Sequence, residues 1–543
     1  MPNRTLPADP NLEQYKKQAK DLVRDCRAGL TEAIARLHRH HPEKEQAPLA
    51  LTAAQLVIAR EHGFSSWPQF AAQIETLRIQ RLAASVTDPV AAFLVAACVP
   101  RNAHNSGTIE EAEAILARYP QVAHANIYTA AVLADESAVR NLLGADPKLA
   151  TSPGGPYGWD ALTHLSFSRY LRLDPDRSEP FVRTARALLD AGASANTGFQ
   201  DTWDYKPIFE AAIYGAAGAA HHPGVTRLLL EYGADPNDDE TAYHAPESYD
   251  NTVTGILLES GKLNERSKSW ILVRKADWHD YDGMKLALDH GADPNLIPMW
   301  GNSALQHAIQ RDNRIEIIRL LLDRGADPLL QNSQGRTAAV MAAHRGRGDV
   351  LRLLAERGID LVFQGVNRLI AACAVADVAE IHAITSKEPA LVREILAQGG
   401  TLLAEFAGVG NEQGARCLLD LGVPANALYI GDRYFGIAKD STALHVAAWR
   451  GESKTVKVLL SRGAPVSVFD GEGRTPLQRA VLACTDSYWK QRRSPEWVAP
   501  LLEAGATLDG IEIPCGYPEA DELLIGAQRR TDSGSEPSSV STL

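Results

Sequence analysis

Cysteine is scarce in this chain. Six residues, at positions 26, 98, 373, 417, 484 and 515, serve 543 positions without a CxxC pair or regular spacing. That excludes a disulfide-stapled secreted scaffold and reads as reduced, buried small hydrophobes in a cytoplasmic protein. Long apolar runs are missing too: the longest, Val90–Val99, falls far short of the roughly 18 residues a bilayer span requires. The first residues, MPNRTLPADPNLEQYKK, turn polar at once, so no apolar secretory leader is expected. Positive charge is not in excess, with 55 basic against 67 acidic residues and a net charge of −12. Non-specific nucleic-acid binding needs clustered Lys and Arg to displace counterions, and an acidic surface argues against it. Residues 1–50 hold nine Lys/Arg against seven Asp/Glu, too slight an excess to change that reading.

Catalytic and metal signatures are absent as well. There is no GxxxxGK[ST], no HExxH, and no GxGxxG between a strand and a helix. GFSSW at Gly63 is not a GxSxG elbow. His38 and His41 share a helical face without His40 or a companion ligand set, so a solvated helix end is expected there. His221 and His222 read as a loop pair within a small-residue insertion. Asp277, Asp280 and Asp282 before Gly283 fail the calcium-loop register and fit a turn between helices. No catalytic residue, metal or cofactor is therefore expected.

What the chain does have is a repeat. LLLDRGADP at Leu320–Pro328 is nearly copied by LLLEYGADPN at Leu228–Asn237 and by LALDHGADPN at Leu286–Asn295. Weaker copies end at Asn196, Asp360, Asn426, Pro465 and Thr507. Gly291, Gly325 and Gly358 lie 34 and 33 residues apart. LLESGKLN with Gly261 fills one longer gap, and LVREILAQGG around Gly399 is expected to be a worn boundary in another. In each copy an apolar triplet closes a short helix, and glycine stops it by taking the left-handed cap conformation. Twelve residues later Ser303, Thr337 or Thr475 opens the next helix as an N-cap. One such helix pair cannot bury its apolar face alone, so the units must stack.

The heads KPIFEAAIYG from Lys206, SALQHAI from Ser303, TAAVMAAHRG from Thr337, TALHVAAWRG from Thr442 and TPLQRAV from Thr475 complete the unit. With them the chain resembles the ankyrin-repeat family, whose unit runs TPLHxAAxxG, a second helix, LLLxxGADxN, then a finger loop. The resemblance covers about residues 90–510, with roughly ten to twelve units. It implies an all-α ankyrin-repeat α-solenoid with short β-hairpin or finger loops. Only His445 sits at the family's histidine position; Gln306, Val340 and Gln478 replace it, which is expected to weaken the turn hydrogen bond there.

Residues 1–82 differ. Leu12, Tyr15, Ala19, Leu22, Val23 and Cys26 fall on one helical stripe. Thr31 is expected to cap a second helix closed by Pro42, a third runs from about Thr52 to His62, and Ser66 and Pro68 start a fourth. This small helical domain is similar to a leader that precedes the repeats in many bacterial ankyrin proteins, and is expected to cap the stack. Residues 83–527 are read as the solenoid, ending in a capping helix near Pro518. Residues 528–543 are expected to stay disordered.

Aromatics make up only 6% of the chain, yet they collect in the long fingers. Trp203, Tyr205, Tyr243, Tyr249, Tyr429, Arg433, Tyr434 and Phe435 lie there, with Trp300 in an ordinary finger and Trp449 on the helix that begins after Thr442. Such residues are enriched at binding hot spots, so they are the candidate partner contacts. The competing reading is that each finger packs its aromatics on its neighbour merely to stiffen a long loop. The expected function is a non-catalytic scaffold holding a protein or peptide partner in its concave groove, with neither nucleic acid nor membrane as a partner. The alternative is an enzyme with a pocket between the fingers and the insertion YLRLDPDRSEP from Tyr170.

Overall fold

A computed structural model of the chain describes residues 4–7, 9–41, 51–99, 107–203, 205–298, 300–485 and 493–533. Helices dominate, joined among the described residues by two small antiparallel two-stranded sheets. The chain divides into two compact units, Met1–Asp293 and Pro294–Leu543. This boundary falls inside the repeat region.

The first unit opens with helices Leu12–Arg27, Thr31–His40, Leu51–Glu61 and Trp67–Ala84. The expected stripe is their core: Tyr15, Ala19 and Leu22 are buried against Leu37, Ile58 and Phe70, with Leu12, Val23 and Cys26 packed at its edge. Tyr15 meets Phe70 edge-on at 5.0 Å. Ser66 caps the fourth helix by accepting from the Gln69 N–H. Thr31 does not cap the second; Leu30 holds that position without a side-chain bond. Pro42 lies outside the described residues.

Repeated helix pairs follow in each unit. In the second unit Ala304–Gln310 packs on Ala338–His344, and Ile315–Asp323 on Gly348–Glu356, so first helices stack on first helices and second on second. Apolar positions produce this layering: Ile317, Ile318 and Leu321 are buried on one side, Leu305, Ala308 and Ile309 on the other. Gly325 ends its pair at φ +85°, a conformation that a Cβ would penalise, and Gly291 and Gly358 do the same at +80° and +72°.

The asparagine that closes each GADxN stitches neighbours together. Asn295 donates to the Gly325 carbonyl at 2.9 Å and accepts from the Asp327 N–H at 2.7 Å. Asn196 repeats this with Gly233 and Asp235, and Asn237 with Lys262 and Asn264. The expected weakening at Gln306 is overturned. His445 accepts from the Thr442 N–H at 3.0 Å and bonds the Arg474 carbonyl at 3.0 Å. Gln306 does both jobs, accepting from the Ser303 N–H at 2.8 Å and donating to the Leu330 carbonyl at 2.6 Å. Gln478 likewise accepts from the Thr475 N–H and donates to the Asp509 carbonyl. A primary amide carries donor and acceptor on one arm, as a neutral imidazole does.

Three further expectations change. Lys206–Ala211 is a strand and not a helix start, because it pairs with Gly198–Trp203, Gly198 opposite Ala211. The helix after it is short, Ala212–Tyr214, and passes into a wide turn at Gly215–Ala219. Gly399 is not a repeat boundary but the first residue of helix Gly399–Gly408, and an additional helix, Ala390–Ala397, precedes it. The last helix, Pro518–Ser533, extends past the expected end of order at 527; residues 534–543 lie outside the described residues.

Candidate interaction surfaces

The first unit carries a projecting finger, the hairpin Gly198–Ala211. Its base is anchored by aromatic stacking: Phe199 lies 4.4 Å from Trp159 with the rings 20° apart, and Phe167 meets Phe199 edge-on at 5.0 Å. Its tip is bare. Tyr205 is 97% exposed at φ +62°, and Phe209 is 40% exposed. The side chain of Trp203 lies outside the described residues.

Beneath this hairpin lies an acidic group. Glu210 is buried and its Oε2 has no hydrogen-bond partner among the described residues. Burial first, then the charges of Glu240 and Asp201, push the Glu210 carboxyl up to about 8. Burial lifts Asp238 to about 6 against the hydrogen bonds from Thr241. His244 sits 3.3 Å from Glu240 and 3.1 Å from Glu247; burial opposes its charge, but the two carboxylates leave its pKa raised. Tyr243 is half-buried under Arg274, whose guanidinium stands 4.2 Å from the ring, and meets Trp270 edge-on at 5.6 Å. Tyr249 is 58% exposed, with Trp278 edge-on at 5.3 Å. His222, expected to be an idle loop residue, caps helix Pro223–Glu231 by accepting from the Val225 N–H, and its other nitrogen meets the Ser178 hydroxyl at 2.8 Å. The insertion from Tyr170 folds on itself: Arg177 holds Asp174 at 2.8 Å and lies over the Tyr170 ring at 4.9 Å.

In the second unit the long finger after Asn426 turns inward. Leu428–Tyr429 pairs with Ser441–Thr442, and Asp432 bridges to Ile437. Tyr429 and Phe435 are buried, 4% and 6% exposed, which corrects their assignment to a partner-facing surface. The Tyr429 hydroxyl donates to Glu405 at 2.7 Å. Phe435 receives the Arg450 guanidinium at 3.9 Å and that of Arg345 at 5.2 Å, and its carbonyl accepts from the half-buried Trp449 indole at 2.6 Å. Tyr434 is half-buried with Arg311 3.8 Å from its ring. Arg433 is exposed. Trp300 is half-buried and stacked on His307 at 5.4 Å.

The finger closes over a buried ion cluster that no sequence motif marks. Arg345 is bidentate to Asp312, 2.5 Å from Glu405 and 3.8 Å from Asp432. Arg450 adds a second contact to Asp312 at 3.3 Å. Burial raises the Asp312 carboxyl, but the two guanidiniums leave it below its ordinary value. Next to this cluster opens a polar cavity of about 450 Å³, lined by residues 312–316, 346–349, Arg352, 408–413, Arg450 and Glu452. Asp349, held by Arg347 at 2.8 Å, also sits below its ordinary pKa, so neither lining aspartate is poised to move a proton near neutrality. Among the described residues no group of three or more His, Cys, Asp or Glu could hold a metal ion, and no helix is long and apolar enough to cross a membrane.

Known proteins match parts of this arrangement. A model of ankyrin repeats in three copies matches residues 272–364, and a single ankyrin-repeat model matches residues 439–471. Serine/threonine-protein kinase 12 of Arabidopsis thaliana is 40% identical over 83 residues, which is 15% of this chain. The chain spans only 16% of that kinase's length.

Proposed function

We propose that this ankyrin-repeat protein binds a protein or peptide partner through the hairpin finger of its first unit, with Tyr205 as the principal contact. Ankyrin repeats are protein-interaction scaffolds, and their stacked helices hold the fingers rigid, so little ordering entropy is lost on association. The observation that carries the proposal is Tyr205 itself. A tyrosine 97% exposed and at positive φ buries almost none of its side chain. Its finger, by contrast, is fixed at the base by the Phe199–Trp159 stack. A large rigid side chain on a fixed support is what a hot spot requires. Phe209 on the second strand and Tyr249 in the next long loop extend the exposed aromatic set. In the second unit the contribution falls to Arg433, since Tyr429 and Phe435 face inward.

A kinase activity finds no support in the residues. The chain contains neither an HRD nor a DFG tripeptide, so the catalytic base and the metal-holding aspartate of that reaction have no counterpart.

The test is a comparison of proteins co-purifying with the full-length chain and with its Tyr205→Ala/Phe209→Ala variant. Loss of a two-residue hot spot is expected to lower affinity about 30-fold or more, while the unfolding temperature changes by less than about 2 °C. Recovery of the same partners at equal strength from the variant would overturn the assignment.

A further inference from the structure

We infer that the free edge of strand Gly198–Trp203 is a docking site for an extended, basic segment of a protein partner, added as a third strand to the hairpin finger. This rests on the binding role proposed above and supplies its geometry. In an antiparallel pair, directly opposed residues alternate between exchanging backbone hydrogen bonds and exchanging none. The phase is fixed at the hairpin base, where the Ala212 N–H donates to the Thr197 carbonyl at 2.8 Å. Alternation outward from there makes Phe199 with Glu210, Asp201 with Ile208 and Trp203 with Lys206 the bonded pairs. The residues between them turn their backbone groups away from the partner strand. Gly198, Gln200 and Thr202 do so along one edge, Pro207, Phe209 and Ala211 along the other.

The two edges are not equivalent. Pro207 has no N–H and Ala211 is buried at the base, so the second edge offers little to a further strand. Proline and lysine are usual means of blunting an exposed edge, and the first edge has neither. Gln200 and Thr202 are exposed, and the outward backbone groups of Gly198 and Gln200 have no backbone partner among the described residues. The Thr202 N–H turns to the Asp201 carboxylate at 2.7 Å, which leaves its carbonyl. Open N–H and C=O groups at every second residue match an extended chain, whereas a helix has bonded its own internally.

Side chains set the chemistry of the partner. Asp201 and Glu210 share the hairpin face turned toward the repeats, and Glu240 and Asp238 add their charge there. Lys206 on the same face and His244 answer two of these four carboxyls, while Arg274 is already held by Glu247 and Asp277. A strand laid beside Asp201 therefore points every second side chain to an acidic surface, which lysine or arginine matches. On the opposite face the Phe209 ring leans across the sheet over Gly198, where a Cβ would stand 2.9 Å from its Cζ. That ring is 40% exposed, so the alternate side chains of the added strand meet an apolar surface.

A fluorescein-labelled peptide of alternating valine and lysine is titrated into the full chain at pH 7, with binding read by fluorescence anisotropy. Gln200→Ala keeps the outward N–H and is expected to bind as the parent does. Gln200→Pro removes that N–H without touching the bonded pairs, and is expected to bind about tenfold more weakly at an unchanged unfolding temperature. On the peptide, N-methylation of one alternate set of residues is expected to abolish binding and of the other set to leave it, because only one set turns its N–H groups to the edge. A peptide of alternating valine and glutamate is expected to bind about tenfold more weakly than the lysine peptide. No binding of the lysine peptide overturns the inference, and so does an equal response to the two methylation patterns. A parent dimer that Gln200→Pro dissolves would make a second copy the occupant and overturn it as well. Binding weakened by Tyr205→Ala/Phe209→Ala but not by Gln200→Pro would keep the aromatic contact and remove the added strand, so the two readings fail separately.

Discussion

Replacing Arg345 by alanine is expected to cost about 3–5 kcal/mol of the second unit's stability, read as a fall in its urea midpoint at pH 7. The single side chain holds Asp312 and Glu405, approaches Asp432 and lies against Phe435. Its removal leaves buried carboxylates facing one another, with only Arg450 to answer Asp312. Losing one partner of a buried pair is far worse than losing both, because the remaining charge has no solvation. Arg345→Met combined with Asp312→Asn should therefore recover part of the loss. Equal instability in the single and double variants would show that packing against Phe435 matters and the charges do not. Phe435→Ala tests that term directly and should cost about 3–5 kcal/mol, as other buried phenylalanines do.

The same geometry reverses one expectation drawn from the sequence. Truncating Tyr429, Arg433 and Tyr434 together would be expected, on composition alone, to weaken partner binding with little change in unfolding temperature. With Tyr429 buried and bonded to Glu405, the triple variant should lose stability first, and Arg433→Ala alone reports on binding. Finger aromatics in a sequence look alike whether they point out or fold back. What separates Tyr205 from Tyr429 is three-dimensional: one sits at a hairpin tip, while the other finds a carboxylate on a helix 24 residues earlier.

Legibility follows the range of the interaction. The helix stops at Gly325 and its relatives, the N-cap at Ser303 and the stripe of Tyr15, Ala19 and Leu22 could all be read, because each depends on residues within about one turn. The Asp312–Arg345–Glu405 cluster could not, since its members lie 33 and 60 positions apart and each stands in an ordinary repeat context. A faint signal did exist: Arg345 and Arg450 occupy the same place before the glycine in TAAVMAAHRG and TALHVAAWRG. The strand at Lys206–Ala211 is hidden in the sequence for a related reason. Its sequence matches a helical repeat head, but pairing with Gly198–Trp203 overrides that local preference.

Raising the pH from 4.5 to 8 is expected to loosen the hairpin of the first unit, contrary to the usual gain of stability as carboxylates ionise. Glu210 titrates near 8 when folded against an ordinary 4.5, and Asp238 near 6 against 3.8. A carboxyl whose folded value is raised keeps its proton in the native state when the unfolded chain has released it. Its contribution is whole below the unfolded value and is lost as pH climbs through the folded one. For Glu210 that window runs from 4.5 to about 8, and the loss is at most about 5 kcal/mol. His244, raised by Glu240 and Glu247, acts in the same direction, since it sheds its favourable charge as pH rises. Glu210→Gln keeps the shape and removes the largest of these titrations, so the pH dependence of hydrogen exchange across residues 198–211 should shrink, leaving only the part owed to Asp238 and His244. In the parent, exchange corrected for its intrinsic pH dependence should speed up by a factor of 10 or more over that interval. A parent hairpin equally protected at pH 5 and pH 8.5 would mean that Glu210 is already ionised in the fold, its charge met by a group other than those described.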